Sequence, residues 1–230
     1  MRSISPWRHL VAALVIAAGL TAQALASPVV LSNLAAAKSG YDSVFSSQAI
    51  AQIFTTSSAP AGWNLESITF PVTKVTDGNL FAAIFSNDGP IGSSTPGSVI
   101  GVLTTPVPPA TGMVTYNAGG AGIPLAASTS YWVVWANVGS GQYDIDYTSD
   151  ATTTGSWTIP QAPTGNAWGY SFDNFQTWDM YQAGSPFKLE ITASQQSAAV
   201  PEIDPAGLGS VLALCTGALG MLERRRMKGA

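Results

Sequence analysis

Six aromatic residues crowd one stretch of the chain: Trp168, Tyr170, Phe172, Phe175, Trp178 and Tyr181, with Asp173, Asn174 and Asp179 among them. Flat rings beside carboxylate and amide oxygens suit sugar recognition. A pyranose lays its apolar C–H face on a ring while polar neighbours take its hydroxyls. Trp168, Tyr170 and Trp178 are the candidate glycan platform. The same spacing also suits a core, because positions 168, 170 and 172 share one face of a strand and large aromatics usually point inward. A second group, Asp144, Asp146 and Asp150, carries the oxygen ligands that calcium takes from a single loop. It lacks the glycine and terminal glutamate of an EF-hand, and Tyr143, Ile145 and Tyr147 alternate with its first two acids. Strand alternation therefore accounts for Asp144 and Asp146 as a wet face, and no metal ligand is expected.

What is missing narrows the chemistry further. Between Ser27 and Gln195 there is no arginine, histidine or cysteine; His9 and Cys215 lie in the flanking segments. Ser-His-Asp and Cys-His catalysis, zinc held by nitrogen or sulfur, haem ligation through these residues and disulfides are all excluded there. Three lysines (Lys38, Lys74, Lys188) face ten carboxylates in this region, a net charge of −7. A phosphate-backbone partner needs several basic contacts, so nucleic acid is excluded as well. A carboxylate-only glycosidase needs two acids about 5–9.5 Å apart across a cleft, and no motif marks such a pair. No catalytic residue and no cofactor are expected.

The elements that carry these residues read as strands. Turn signals recur every eight to twelve residues, from Pro60-Ala61-Gly62 through Asn87-Asp88-Gly89-Pro90 to Gly184-Ser185-Pro186, with short Val-, Ile-, Thr- and aromatic-rich segments between them. That is the pattern of an antiparallel sandwich or barrel. Ile68, Phe70 and Val72 alternate with Thr69 and Thr73; Phe187, Leu189 and Ile191 alternate with Lys188, Glu190 and Thr192. Leu80 to Phe85 and Tyr131 to Trp135 are continuously apolar, as in central strands covered on both faces. The expected fold is all-β, one antiparallel jelly-roll-like β-sandwich of nine or ten strands over residues 27–193. Ser194 to Ala199 is small and polar, and reads as a linker.

Both ends read as membrane signals. Arg2, Arg8 and His9 form a positive n-region, Leu10 to Leu20 an apolar h-region, and Ala24-Leu25-Ala26 a small-residue cleavage site that leaves Ser27 as the new N-terminus. Residues 1–26 are thus expected to be a signal peptide helix. At the other end, Ala206–Leu222 carries no charge and would rise roughly 25 Å as a helix, close to the lower limit for a span. Arg224, Arg225 and Arg226 follow at once and would hold that end on the cytoplasmic side. The domain before it must then lie outside.

Pro201 and Glu202, the helix at 206–222 and the arginine block occur in the order of the PEP-CTERM sorting signal, which residues 200–230 resemble. The third motif position is Ile203 where the family has proline, and Pro205 follows. The resemblance implies export across the inner membrane of a Gram-negative-type bacterium. It also implies processing by an exosortase-like membrane transpeptidase and association with the cell surface or exopolysaccharide matrix. The stretch Ile123 to Trp135, with its leucine, small turn, threonine and Tyr131-Trp132, is similar to bacterial choice-of-anchor domains, type R being the nearest match. Such surface β domains precede interchangeable anchors and carry no defined activity. Taken together, a non-enzymatic surface or matrix protein is expected. A lectin-like carbohydrate-binding module and a carboxylate-dependent glycosidase are the alternatives.

Overall fold

The computed structural model describes residues 28–90, 93–105, 110–150, 152–160, 167–181 and 185–197. The expected signal peptide with Ala24, Ala26 and Ser27 lies outside these residues. So do the sorting motif Pro201, Glu202 and Pro205, the helix at 206–222 and Arg224 to Arg226.

The described residues form thirteen strands, all paired antiparallel, in two sheets. The first sheet has the order β1 (Val29–Ser32), β13 (Glu190–Gln195), β4 (Trp63–Thr76), β10 (Gln142–Tyr147) and β2 (Gly40–Phe45). On the other edge of β4 lie β7 (Gly112–Asn117) and β8 (Ile123–Leu125). The second sheet has the order β12 (Asp179–Tyr181), β11 (Trp168–Ser171), β3 (Ala49–Thr55), β9 (Ser130–Val138), β5 (Asn79–Asp88) and β6 (Thr95–Leu103). The count exceeds the nine or ten read from turn spacing because β1, β8 and β12 are only four, three and three residues long. Segments that short carry too little alternation to register as strands. No helix occurs among the described residues.

Alternation explains how the sheets meet. In β4, Ile68, Phe70 and Val72 are buried in the central core. The intervening hydroxyls pair across strands on the opposite face: Ser67 with Thr192 at 2.7 Å and Thr69 with Thr115 at 2.8 Å. From the second sheet Ile50, Phe54, Ala82, Ile84, Val133 and Trp135 join the same core. Each fully buried large side chain contributes roughly 1.5–3 kcal/mol relative to exposure.

The continuously apolar strands are covered on both faces, as their sequence predicts. Odd positions of β9 (Val133, Trp135) enter the central core, while Trp132, Val134 and Ala136 enter a second cluster with Ala49, Ala51, Ile53, Ala83 and Phe85. Phe81, Phe175, Trp178 and Met180 pack against that second cluster from the outside.

The stretch from Ile123 to Trp135 owes its pattern to a latch. Leu125 is buried, the turn behind it places Ser128 at φ 50°, and β9 then begins. The Thr56 hydroxyl donates to the Ala126 carbonyl at 2.8 Å and accepts from the Thr129 amide at 3.0 Å; the Tyr131 hydroxyl accepts from the Ala126 amide at 2.8 Å. These bonds satisfy the backbone groups of Ala126 and the Thr129 amide at the corner. At the C-terminal side, β13 continues through Ser194 and Gln195, two residues into the segment expected to be linker, and pairs with Asn64 and Trp63. Gln196 then donates from its backbone to Gly62 and from its side chain to Trp63.

Candidate functional site

The aromatic stretch divides between two faces of one short hairpin. In register, Trp168 lies opposite Tyr181 and Tyr170 opposite Asp179, so these four side chains share a face. Gly169 and Met180 occupy the other face, together with the loop residues Phe175 and Trp178. Trp168 and Tyr170 are therefore brought together and Trp178 is not: it packs on Phe175 over the outside of the second sheet. Phe172 joins the first group.

That first group forms a rim. Trp168 stacks on Tyr181 with centroids 4.4 Å apart at 9°, and meets Tyr170 edge-on at 5.0 Å. Tyr170 contacts Tyr181 at 5.7 Å and Phe172 at 5.9 Å. Trp168 and Tyr170 are half-buried against the core, whereas Phe172 is 56 % and Tyr181 43 % exposed. Neither expectation, sugar platform or core, holds for the whole stretch. Inner rings pack and outer rings stay open because β11 and β12 lie at the edge of their sheet.

Two internal amides hold this rim in place. Gln52, fully buried on β3, donates to the Ala167 carbonyl at 2.6 Å and accepts from the Phe187 amide at 3.1 Å. Asn33 donates to the Phe187 carbonyl at 3.0 Å and accepts from the Leu189 amide at 2.7 Å. Phe187 in turn supports Trp168 from below, 6.3 Å away. The Trp168 indole N–H is buried without a hydrogen-bond partner among the described residues.

The opposing wall comes from β2, the edge strand of the other sheet. Asp42 lies opposite Ile145 in register and is half-buried, with the Tyr170 hydroxyl acting on its carboxyl. Burial pushes the Asp42 carboxyl above the usual carboxylate value, and the Tyr170 hydroxyl offsets part of that rise. Burial and the neighbouring Asp42 push the Tyr170 phenol well up, with Tyr181 and Tyr147 adding to it. The ion pairs among the described residues are Lys38–Asp146 and Lys74–Asp77, so none of these cations pairs with Asp42. The sequence reading gave Asp42 no role and took Tyr147 only as part of a strand's alternation. They sit more than 20 residues from the aromatic stretch, and nothing distinguishes Asp42 from any acid near a strand end.

The three acids of the cation reading are dispersed. Asp144 is buried on β10, accepting from Ser43 at 2.6 Å; Asp146 pairs with Lys38; Asp150 accepts from the Thr152 amide at 2.9 Å. Asp144 is thus covered by its strand neighbours rather than wet. Among the described residues no group of three His, Cys, Asp or Glu side chains is placed to hold a metal ion.

A separate cleft of about 120 Å³ lies between the turn at Ser46–Gln48, the turn at Asn137–Gly139 and the loop at Asn174–Phe175. It has no charged lining residue. Ser47, Asn174 and Phe175 adopt left-handed φ of 67°, 57° and 69°, which costs a non-glycine residue roughly 1–2 kcal/mol. The loop's strain is offset by Asp173, which accepts from the Ser171 and Thr177 hydroxyls and from the Gln176 and Thr177 amides. These bonds hold its carboxyl down at about 2.

No protein-family model matches the chain, and no curated protein is similar to it in sequence.

Proposed function

We propose that the chain is an exported, non-enzymatic protein of the cell surface or extracellular matrix, associated with exopolysaccharide. Its address is the tail 200–230, handled by an exosortase-like membrane transpeptidase, with residues 1–26 removed on export. Residues 27–193 are the cargo, a jelly-roll-like sandwich. The order of the tail carries this reading: polar motif, uncharged span, then three arginines. A domain with few charges and a hydroxyl-covered sheet face suits a hydrated, neutral polymer environment.

Mass spectrometry of the secreted and surface fractions tests it. The expected mature protein starts at Ser27 and ends near Pro201. An intact polypeptide in the cytosol, with both ends unprocessed, overturns the proposal.

A second reading, a lectin-like carbohydrate-binding module with the same address, is favoured by one observation: Phe172 and Tyr181 expose ring surface at the sheet edge, with Asp179 on the same face of the hairpin. Binding of glycans without turnover separates this reading from a glycosidase. Release of reducing sugar, abolished by one Asp or Glu substitution, would instead establish the enzyme.

A further inference from the structure

The cleft at the Ser46–Gln48 turn joins two kinds of lining. One wall is aromatic: the Phe81 and Phe175 rings meet at 6.1 Å and 68°, and both are half-buried. The rest is polar and uncharged. Gln48 is only 6 % exposed, and its side-chain oxygen is buried without a hydrogen-bond partner among the described residues. Asn137 is committed to the fold, its amide joining the Asn79 N–H to the Gly141 carbonyl. At the mouth, Ser46, Ser47 and Asn174 are exposed. Bonds to Asp173 fix the loop that carries Phe175, so the aromatic wall stands before a ligand arrives.

A buried amide oxygen without a donor costs a fold stability, and a donor brought by a ligand recovers it. Rotation about the soft terminal torsion of Gln48 turns that oxygen to the cleft without moving the backbone. An aromatic wall with a few neutral polar groups matches a pyranose, which has an apolar ring face and hydroxyls at its rim. At about 120 Å³ the cleft is smaller than the roughly 300–1,000 Å³ of a drug-sized site, which suits one sugar unit. No lining residue is charged, and residues 27–195 carry a net charge of −7. Uronates and sulfates thus meet no counter-charge and an opposing field. A metal ion finds no carboxylate in the lining, and a wholly apolar ligand leaves Gln48 unpaired.

We propose that this cleft is a subsite for one neutral hexose unit of a polysaccharide, its apolar ring face against Phe81 and Phe175 and one hydroxyl donating to the Gln48 side-chain oxygen, with Asn174 at the mouth. The assignment rests on the carbohydrate-binding reading and places a site away from the Phe172–Tyr181 edge.

Saturation-transfer NMR of the full chain in mild detergent, titrated with methyl glucoside, galactoside and mannoside and with methyl glucuronide, tests it. At least one neutral hexoside is expected to bind with a Kd on the order of 1 mM, as its size allows. The glucuronide should bind about tenfold or more weakly than the best of them. Gln48→Leu should weaken that hexoside about tenfold while melting no lower than the parent chain, a combination that a structural role would not produce. Asn174→Gly should weaken it severalfold and keep the loop, since glycine tolerates the φ of 57°. Phe172→Ala, at the exposed edge of the hairpin, should leave it unchanged.

Binding that survives Gln48→Leu and Asn174→Gly but is lost in Phe172→Ala overturns the cleft and leaves the carbohydrate reading standing. Equal binding of the glucuronide overturns the neutral assignment. If Gln48→Leu does not fold, unchanged binding in Asn174→Gly overturns the site. No binding of any hexoside also overturns it, and the carbohydrate reading falls too if the chain retains nothing on a glycan array.

Discussion

Asp42 and Asp173 respond to pH in opposite senses, for reasons visible in their partners. The folded state raises the Asp42 carboxyl pKa, chiefly through burial. Its stabilising contribution is therefore fully present below the unfolded value, near 3.8, and is lost as pH rises through the higher folded value. The groups facing it are Tyr170, with Tyr181 and Tyr147 next to Tyr170. Asp42→Asn is expected to raise the Tm at neutral pH, with the advantage vanishing towards pH 3, as checked by melts across that range. The folded state lowers the Asp173 pKa to about 2, so its contribution is present above the ordinary value of 3.8 and is lost as pH falls towards 2. Asp173→Ala should lower the Tm at neutral pH and abolish that acid-dependent loss. It should also expose Trp178 to fluorescence quenchers, because the Asp173 bonds shape the loop that seats Phe175 and Trp178 on the second sheet.

At the scale of elements, the β11–β12 hairpin is placed by its pairing with β3 and by the buried Gln52 amide that joins it to Phe187. Gln52→Leu leaves the Phe187 amide without its partner and removes one of the two donors to the Ala167 carbonyl, which keeps the Ile53 amide, at a cost of about 1–3 kcal/mol for the buried group left unsatisfied. Urea denaturation measures it, and a changed Trp168 environment in near-ultraviolet circular dichroism should accompany it. Phe187→Ala removes the ring that contacts both Trp135 and Trp168 and is expected to cost about 3–5 kcal/mol. How much of this was legible beforehand varies by element. The alternation around Phe70 and Leu189 and the apolar run through Val133 placed those strands correctly, because a half-covered strand and a fully covered one have distinct patterns. The dense aromatics after Trp168 gave no such guide. Their partition between two faces depends on Gly169 and Met180 turning one way and Tyr170 and Asp179 the other, and on a loop whose left-handed residues no pattern announces.

For the whole molecule, the proposed division of labour gives the two ends the destination and the β domain the cargo. On the proposed topology, replacing Arg224, Arg225 and Arg226 by glutamate would remove the basic flank that holds the tail on the cytoplasmic side. The surface-exposed fraction, measured by protease accessibility on intact cells, should then fall several-fold, while the melting of the domain stays unchanged. A fall in domain stability instead would place the arginines in the fold.

Composition alone determined which chemistries residues 27–195 lack, since a residue type that is absent cannot be supplied by folding. Periodicity alone determined that the chain forms strands with one or two covered faces, because the side chain's alternation is a local property of extended backbone. Only tertiary structure decided that Asp42 meets Tyr170, that Trp178 leaves Trp168, and that Asp144, Asp146 and Asp150 disperse. Those relations arise where the edges of two sheets come together, and strands far apart in the chain share no sequence signal that sets the distance between them.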